Sequence, residues 1–201
     1  MSVTKKSILL IFLVLCIDQA SKIYIKLHFN LGEHVDVFSW FKIYFIENNG
    51  MAFGMELIGK LFLTLFRIIA VAALAYYIHT LIKKQVRTGY ILTVSLVLAG
   101  AAGNIIDSLF YGLIFTDSYG HVATFMPEVG GYASLFYGKV VDMLYFPLIK
   151  NAYGDVLFFS PIFNVADASI SVAVGIILIF YRKELNDSFE TKKNNDVQPA
   201  E

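Results

Sequence analysis

The sequence predicts an α-helical membrane protein with four transmembrane helices, a small β-structure on the extracytoplasmic side and both termini in the cytoplasm. Three observations predict it. Of the 201 residues 57% are hydrophobic and 16% charged, and the mean hydropathy is +0.65; that is too apolar for an ordinary soluble domain. Four stretches, about 7–27, 57–82, 90–115 and 162–181, approach the roughly 20 apolar residues that a span requires. The cationic clusters Lys5/Lys6, Lys83/Lys84/Arg87 and Arg182/Lys183 flank these stretches at alternate ends, which the positive-inside rule assigns to the cytoplasm.

The first stretch imitates a secretion signal, with two lysines before an apolar run ending "LVLC". Leu15 stands before Cys16 where a cleavage site favours a small residue, so the segment reads as a retained first helix. The outward segments, about 29–56 and 116–160, carry alternating aromatic-rich runs, "VDVFSWFKIYFI" and "YASLFYGKVVDMLYF". These read as strands at the membrane surface, with Trp40 at interfacial depth. The sequence divides into a membrane domain, 1–183, and a polar tail, 184–201, that composition marks as disordered. Equal numbers of acidic and basic residues, sixteen each, give no electrostatic case for a nucleic-acid partner. One cysteine and four scattered histidines give no ligand set for a metal, and no cofactor is expected.

The polar residues inside the apolar stretches fall into a layer. Counted along the helices at the usual rise, Asp18 lies about 16 Å and Asp107 about 25 Å from the inner ends of their spans, and Asp167 about 8 Å below the outer surface. Asp142 lies in the outward segment that leads to the fourth span. All four aspartates therefore collect in or near the outer half of the membrane, and the inner halves contain none. "GNIID" and "FNVAD" repeat Asn-x-x-Asp at Asn104/Asp107 and Asn164/Asp167, a spacing that puts amide and carboxylate on one helix face. Ionisable groups at membrane depth face a bundle interior or a wet cavity. Asp18 and Lys22, four apart, also read as a structural ion pair.

Two functions fit such a pocket. Paired carboxylates without a metal permit aspartic-protease chemistry, one member ionised and the other protonated. A carboxylate relay in a small proton-coupled transporter is the alternative. The one-sided acid layer favours the protease.

The ordered set "DQASK" (Asp18–Lys22), "NNGMAFG" (Asn48–Gly54), "GNIID" (Gly103–Asp107), "VVD" (Val140–Asp142) and "FNVADASI" (Phe163–Ile170) resembles bacterial lipoprotein signal peptidase, or signal peptidase II. The resemblance runs from Asp18 to about Tyr181. It implies a four-helix aspartyl endopeptidase with a small outer β-cradle in the bacterial cytoplasmic (inner) membrane, its active site at the extracytoplasmic face. The implied substrate is a diacylglyceryl-modified prolipoprotein, cut just before the lipidated cysteine; the implied inhibitor is globomycin. A monomer in contact with membrane lipid is expected.

By the same resemblance, Asp142 and Asp167 are the catalytic dyad and Asn164 supports it. Asn104 and Asp107 shape the pocket, and Asp18 and Lys22 are structural. Asn48 and Gly50 belong to a loop that closes over the substrate. Two departures stand out. Ser108 occupies the position where the family carries an arginine, and Lys139 is the candidate replacement cation. The stretch 113–136 is an insertion, expected to extend the cradle or lid the site.

Overall fold

The computed structural model describes residues 1–49, 57–151, 156–158 and 160–195. Three long helices, α1 (Val3–His28), α2 (Leu57–Lys83) and α3 (Thr88–Ile106), cover the first three apolar stretches. Beyond α3 the chain makes a π-helical turn, Asp107–Tyr111, and a short α4 (Gly112–Ile114). The strands β1 (His34–Phe38), β2 (Phe41–Asn48), β3 (Val140–Tyr145) and β6 (Ile162–Phe163) form one antiparallel sheet in that order. A separate two-stranded pair joins β4 (Ile149–Lys150) and β5 (Val156–Phe158). The chain then enters α5 (Val165–Phe180) and α6 (Arg182–Asn195).

α3 is the central helix, packed on α1, α2 and α5. Apolar side chains on the outer faces stay exposed, among them Phe12 and Ile17 on α1, Phe62 and Phe66 on α2, and Leu178 and Ile179 on α5. Exposed bulky residues along a helix with a polar inner face are what a lipid-facing surface requires. Small residues permit the close approach of α3 to α5. A Cβ added at Gly100 would stand 2.3 Å from the Ala166 carbonyl oxygen and 2.7 Å from Ile170 Cγ1. Gly100→Ala is therefore expected to drive the two helices apart, lowering stability by about 1–3 kcal/mol. Thermal unfolding in detergent reads this directly.

Three features differ from the sequence reading. The fourth apolar stretch does not start as helix at 162: Ile162 and Phe163 pair with Tyr145 and Leu144 in the sheet, and α5 has only 16 residues. Among the described residues three helices are long and apolar enough to cross a membrane, or up to four spans if α5 and α6, bent by 91° at their junction, count as one. The pairing of β6 explains the shortening, because Asn164 must be extended to leave the strand before it can cap a helix. The tail expected to be disordered is instead helical through Asn195, the rest lying outside the described residues. It is anchored at its first turns, where Tyr77 Oη donates to Ser188 Oγ at 2.8 Å and Arg87 faces Glu184 at 3.7 Å. Finally, the segment 113–136 adds no strand to the four-stranded sheet. It has one isolated bridge, Phe115 to Phe125, and lies beyond the C-terminal ends of α1 and α3, with Leu31 N–H donating to Ser118 O and Ala133 N–H to Gly112 O.

An apolar cluster joins the sheet to the helices. Ile25 of α1, Phe45 of β2, Tyr111 and Phe115 beyond α3, and Val141 and Met143 of β3 are all buried together. Sheet and helices are thus fastened at the level where the four aspartates lie.

Candidate active site

Asp142 lies in the middle of β3, opposite Ile46 of β2. The antiparallel pairing of β3 with β6 sets Leu144 against Phe163, which carries the following residue, Asn164, back towards Asp142. Asn164 is the N-cap of α5 and Asp167 its third residue, joined in a reciprocal capping box. The Asn164 side chain accepts from Asp167 N–H at 2.9 Å, and the Asp167 carboxylate accepts from Asn164 N–H at 3.4 Å. In sequence, Asn-x-x-Asp at 164 and 167 suggested a pair well inside a span. In the fold it is a helix start, where free N–H groups favour a carboxylate.

One side chain links the two acids. Asn164 Nδ2 donates to Asp142 Oδ1 at 2.7 Å while its Oδ1 receives the Asp167 amide. Asn104, from α3, donates to Asp167 Oδ1 at 2.7 Å and accepts from Asn164 Nδ2 at 3.1 Å. The amide of Asn104 thus serves an acid on another helix rather than Asp107, its neighbour in sequence. Asn48, at the end of β2, also hydrogen-bonds Asp142. Asp142 is buried and Asp167 is partly open. Burial, and then the negative charge of Asp167, push the Asp142 carboxyl up to about 7, against the pull of the Asn164 hydrogen bond. A carboxyl near 7 beside a second carboxylate can share a proton with it at working pH.

Beneath the pair lies a fully buried ionic group. Lys22 Nζ is 2.9 Å from Asp18 Oδ2 and 2.8 Å from Asp107 Oδ2, and donates to Asn104 Oδ1 at 2.9 Å. Gln19 donates to Asp107 Oδ1 at 2.9 Å and to Asp18 Oδ2 at 3.1 Å. Asp18 Oδ1 accepts from Ala166 N–H at 2.9 Å, in the first turn of α5, and Asp107 Oδ2 from Val141 N–H at 3.3 Å. The cluster ties α1 and α3 to the elements that carry Asp142 and Asp167. Within it the charges of Asp18, Lys22 and Asp107 are engaged with one another.

Lys139 sits elsewhere. Its ammonium is 3.1 Å from Glu47 Oε2 and 3.3 Å from Tyr119 Oη, above the Tyr119 ring. Burial works against this ammonium, but the Glu47 carboxylate outweighs it and lifts it above the ordinary lysine range. Glu47 also pairs with the buried Lys26, whose Nζ lies 5.0 Å from the centre of the Tyr132 ring. Ser108 is buried, its hydroxyl returned to Asn104 O at 3.0 Å. Gly50 lies outside the described residues. Sequence reasoning missed Gln19, Lys26 and Glu47. Gln19 was in view within "DQASK", but an uncharged residue between two charged ones gives no pattern to notice.

The sequence model for signal peptidase (SPase) II matches residues 10–182. The chain belongs to the signal peptidase II family. It is 43% identical over 194 residues to a lipoprotein signal peptidase of Porphyromonas gingivalis, covering 92% of this chain and 86% of that one. It is 33% identical over 204 residues to one from Amoebophilus asiaticus, covering 94% and 83%. A solved bacterial membrane enzyme superposes with a TM-score of 0.61 at 27% identity, covering 89% of this chain and 94% of the other. The protein is an aspartic protease of the membrane that removes signal peptides from prolipoproteins. Family membership removes the ground for the transporter alternative.

Proposed function

We propose that Asp142 and Asp167 are the catalytic dyad and that this enzyme cleaves diacylglyceryl-modified prolipoproteins just before the lipidated cysteine. The observation that carries the assignment is Asn164, whose single side chain meets Asp142 and the backbone of Asp167. In this reading Asp142 carries the shared proton and Asp167 is the carboxylate. Asp167 takes a proton from water as the water oxygen attacks the scissile carbonyl. Asp142 donates to the carbonyl oxygen, giving a neutral tetrahedral diol. Collapse of the diol breaks the C–N bond; Asp167 returns its proton to the leaving amine of the lipidated cysteine, and Asp142 recovers its own. Asn104 and Asn164 fix the carboxylates, and Asn48 closes on the Asp142 side. Asp18, Lys22 and Asp107 hold the frame.

The termini lie in the cytoplasm and the dyad opens at the outer face of the bacterial inner membrane, with α5 as the fourth span. The placement of the lysine and arginine clusters supports this. Membrane lipid is the surrounding medium. One chain supplies every group named here, which supports a monomer, and globomycin is expected to compete with substrate at the dyad.

The test is cleavage of a diacylated prolipoprotein by the purified enzyme across the pH range. Product should begin at the lipidated cysteine. Because Asp142 holds its proton up to about 7, the rate should fall above about pH 7, close to tenfold per unit. Cleavage at another bond, equal cleavage of the unlipidated precursor, or a flat profile between about pH 6 and 9 would each reject this reading.

A further inference from the structure

α2 carries a polar stripe on its inner face. Lys60, Thr64 and Arg67 recur at the i, i+4, i+7 spacing of one helix side. Thr64 is buried. Lys60 Nζ donates to Tyr137 O at 2.7 Å and Thr64 Oγ1 reaches Phe136 O at 3.3 Å. Phe62, Leu65, Phe66 and Ile69, between and behind them, are exposed. The helix is thereby fixed in rotation, and Arg67 faces the bundle, partly buried. Its level matches the acid layer. At the helical rise Arg67 stands about 24 Å from the inner end of α2, Asp18 about 22 Å from that of α1 and Asp107 about 28 Å from that of α3.

We propose that Arg67 is the positioning cation of the site, holding one carboxylate of the Asp142–Asp167 pair in its ionised form.

The other cations near this level are committed. Lys22 is shared by Asp18 and Asp107, Lys26 and Lys139 by Glu47, and Lys60 is turned to the Tyr137 carbonyl and to Asn49. Among the described residues Arg67 enters none of these ion pairs. Burial is the largest influence on its guanidinium; of the charges that act against it, Asp167 is the strongest, followed by Asp107 and Asp142. The charged groups on the surrounding elements are Asp18 and Lys22 of α1, Asp107 beyond α3, Asp142 of β3 and Asp167 of α5, with Lys60 on α2 itself. The buried lysine balances one of the two acids that contact it, so the outer acids need a second cation. A guanidinium inside a membrane span is itself costly without an anionic partner, and these carboxylates are the anions whose charge reaches it.

The inference rests on the dyad reading above, and its test separates the two. kcat/KM for a diacylated prolipoprotein is measured against pH for wild type, Arg67→Met and Arg67→Lys, with thermal unfolding of each. Methionine is apolar and of similar length, which suits insertion. Loss of the cation raises the affinity of the nearby carboxylates for protons. Arg67→Met should therefore move both limbs of the profile up by about one unit and lower the rate about tenfold on the acid side. Arg67→Lys, which keeps the charge, should leave the limbs in place. Unmoved limbs in Arg67→Met, a loss equal at every pH, or limbs displaced as far by lysine as by methionine would overturn the proposal. If Arg67→Met does not fold, the lysine variant decides, since displaced limbs there oppose the role. Activity retained by Asp142→Asn would instead sink the dyad itself.

Discussion

Asp142→Asn and Asp167→Asn are each expected to lower cleavage by about 10³-fold or more, with the protein still folded. Asparagine keeps the shape of the side chain and its place among Asn164, Asn104 and the start of α5. What it removes is the ability to take up and return a proton. Substitution at 142 also relieves the repulsion between two close acids, so the melting temperature should hold or rise. An unstable Asp142→Asn variant would mean that this carboxyl is a structural anchor. Full activity in either variant, measured on a diacylated prolipoprotein, would refute the assignment. Asp107 is a poor substitute for either, because Lys22, Gln19 and the Val141 N–H already occupy its oxygens.

The second large effect is expected at Lys22. Its ammonium and both carboxylates that face it are fully buried, and removing one partner of such a group leaves charge without compensation. Lys22→Met should lower stability by about 3–5 kcal/mol, read as a fall in the unfolding midpoint in detergent. Adding Asp107→Asn to Lys22→Met removes one of the stranded charges and should recover part of the loss. A fully additive double variant would show that the residues do not act as a group. Asp18 makes the loss functional as well as structural, since it accepts from Ala166 in the first turn of α5.

The long helices were legible because a continuous apolar run leaves few alternatives, and the strands because alternation is equally plain at Val35–Ile46. The ends of elements were not. "SPIFNVAD" is apolar enough to pass for the start of a span, and only the partner strand β3 shows that Ile162 and Phe163 belong to a sheet. A single sequence carries no register. The repeated Asn-x-x-Asp marks residues that the fold gathers; Asn164 and Asp167 do pair locally in the capping box, whereas Asn104 does not serve Asp107. Asn104 reaches across to Asp167 and Asn164 to Asp142, contacts between residues distant in the chain. The same limit applies to Arg67, since nothing in "LTLFRIIA" says which way the arginine faces until α2 is docked. The polar tail misled for a different reason: composition describes an isolated peptide, whereas Tyr77 and Arg87 supply anchors for its first turns.

The bond from Ala166 to Asp18 joins residues 148 positions apart, and it places most of the chain between the first brace of the site and the last. During synthesis α1, α2 and α3 are made well before α5 leaves the ribosome. Asp142 is present by then, but Asn164, Asp167 and the helix start that orients them are not. On the proposed dyad, a nascent or truncated chain lacking α5 would hold half of a reaction centre and no cutting power. Ripening of the protease would then coincide with the arrival of its last apolar helix.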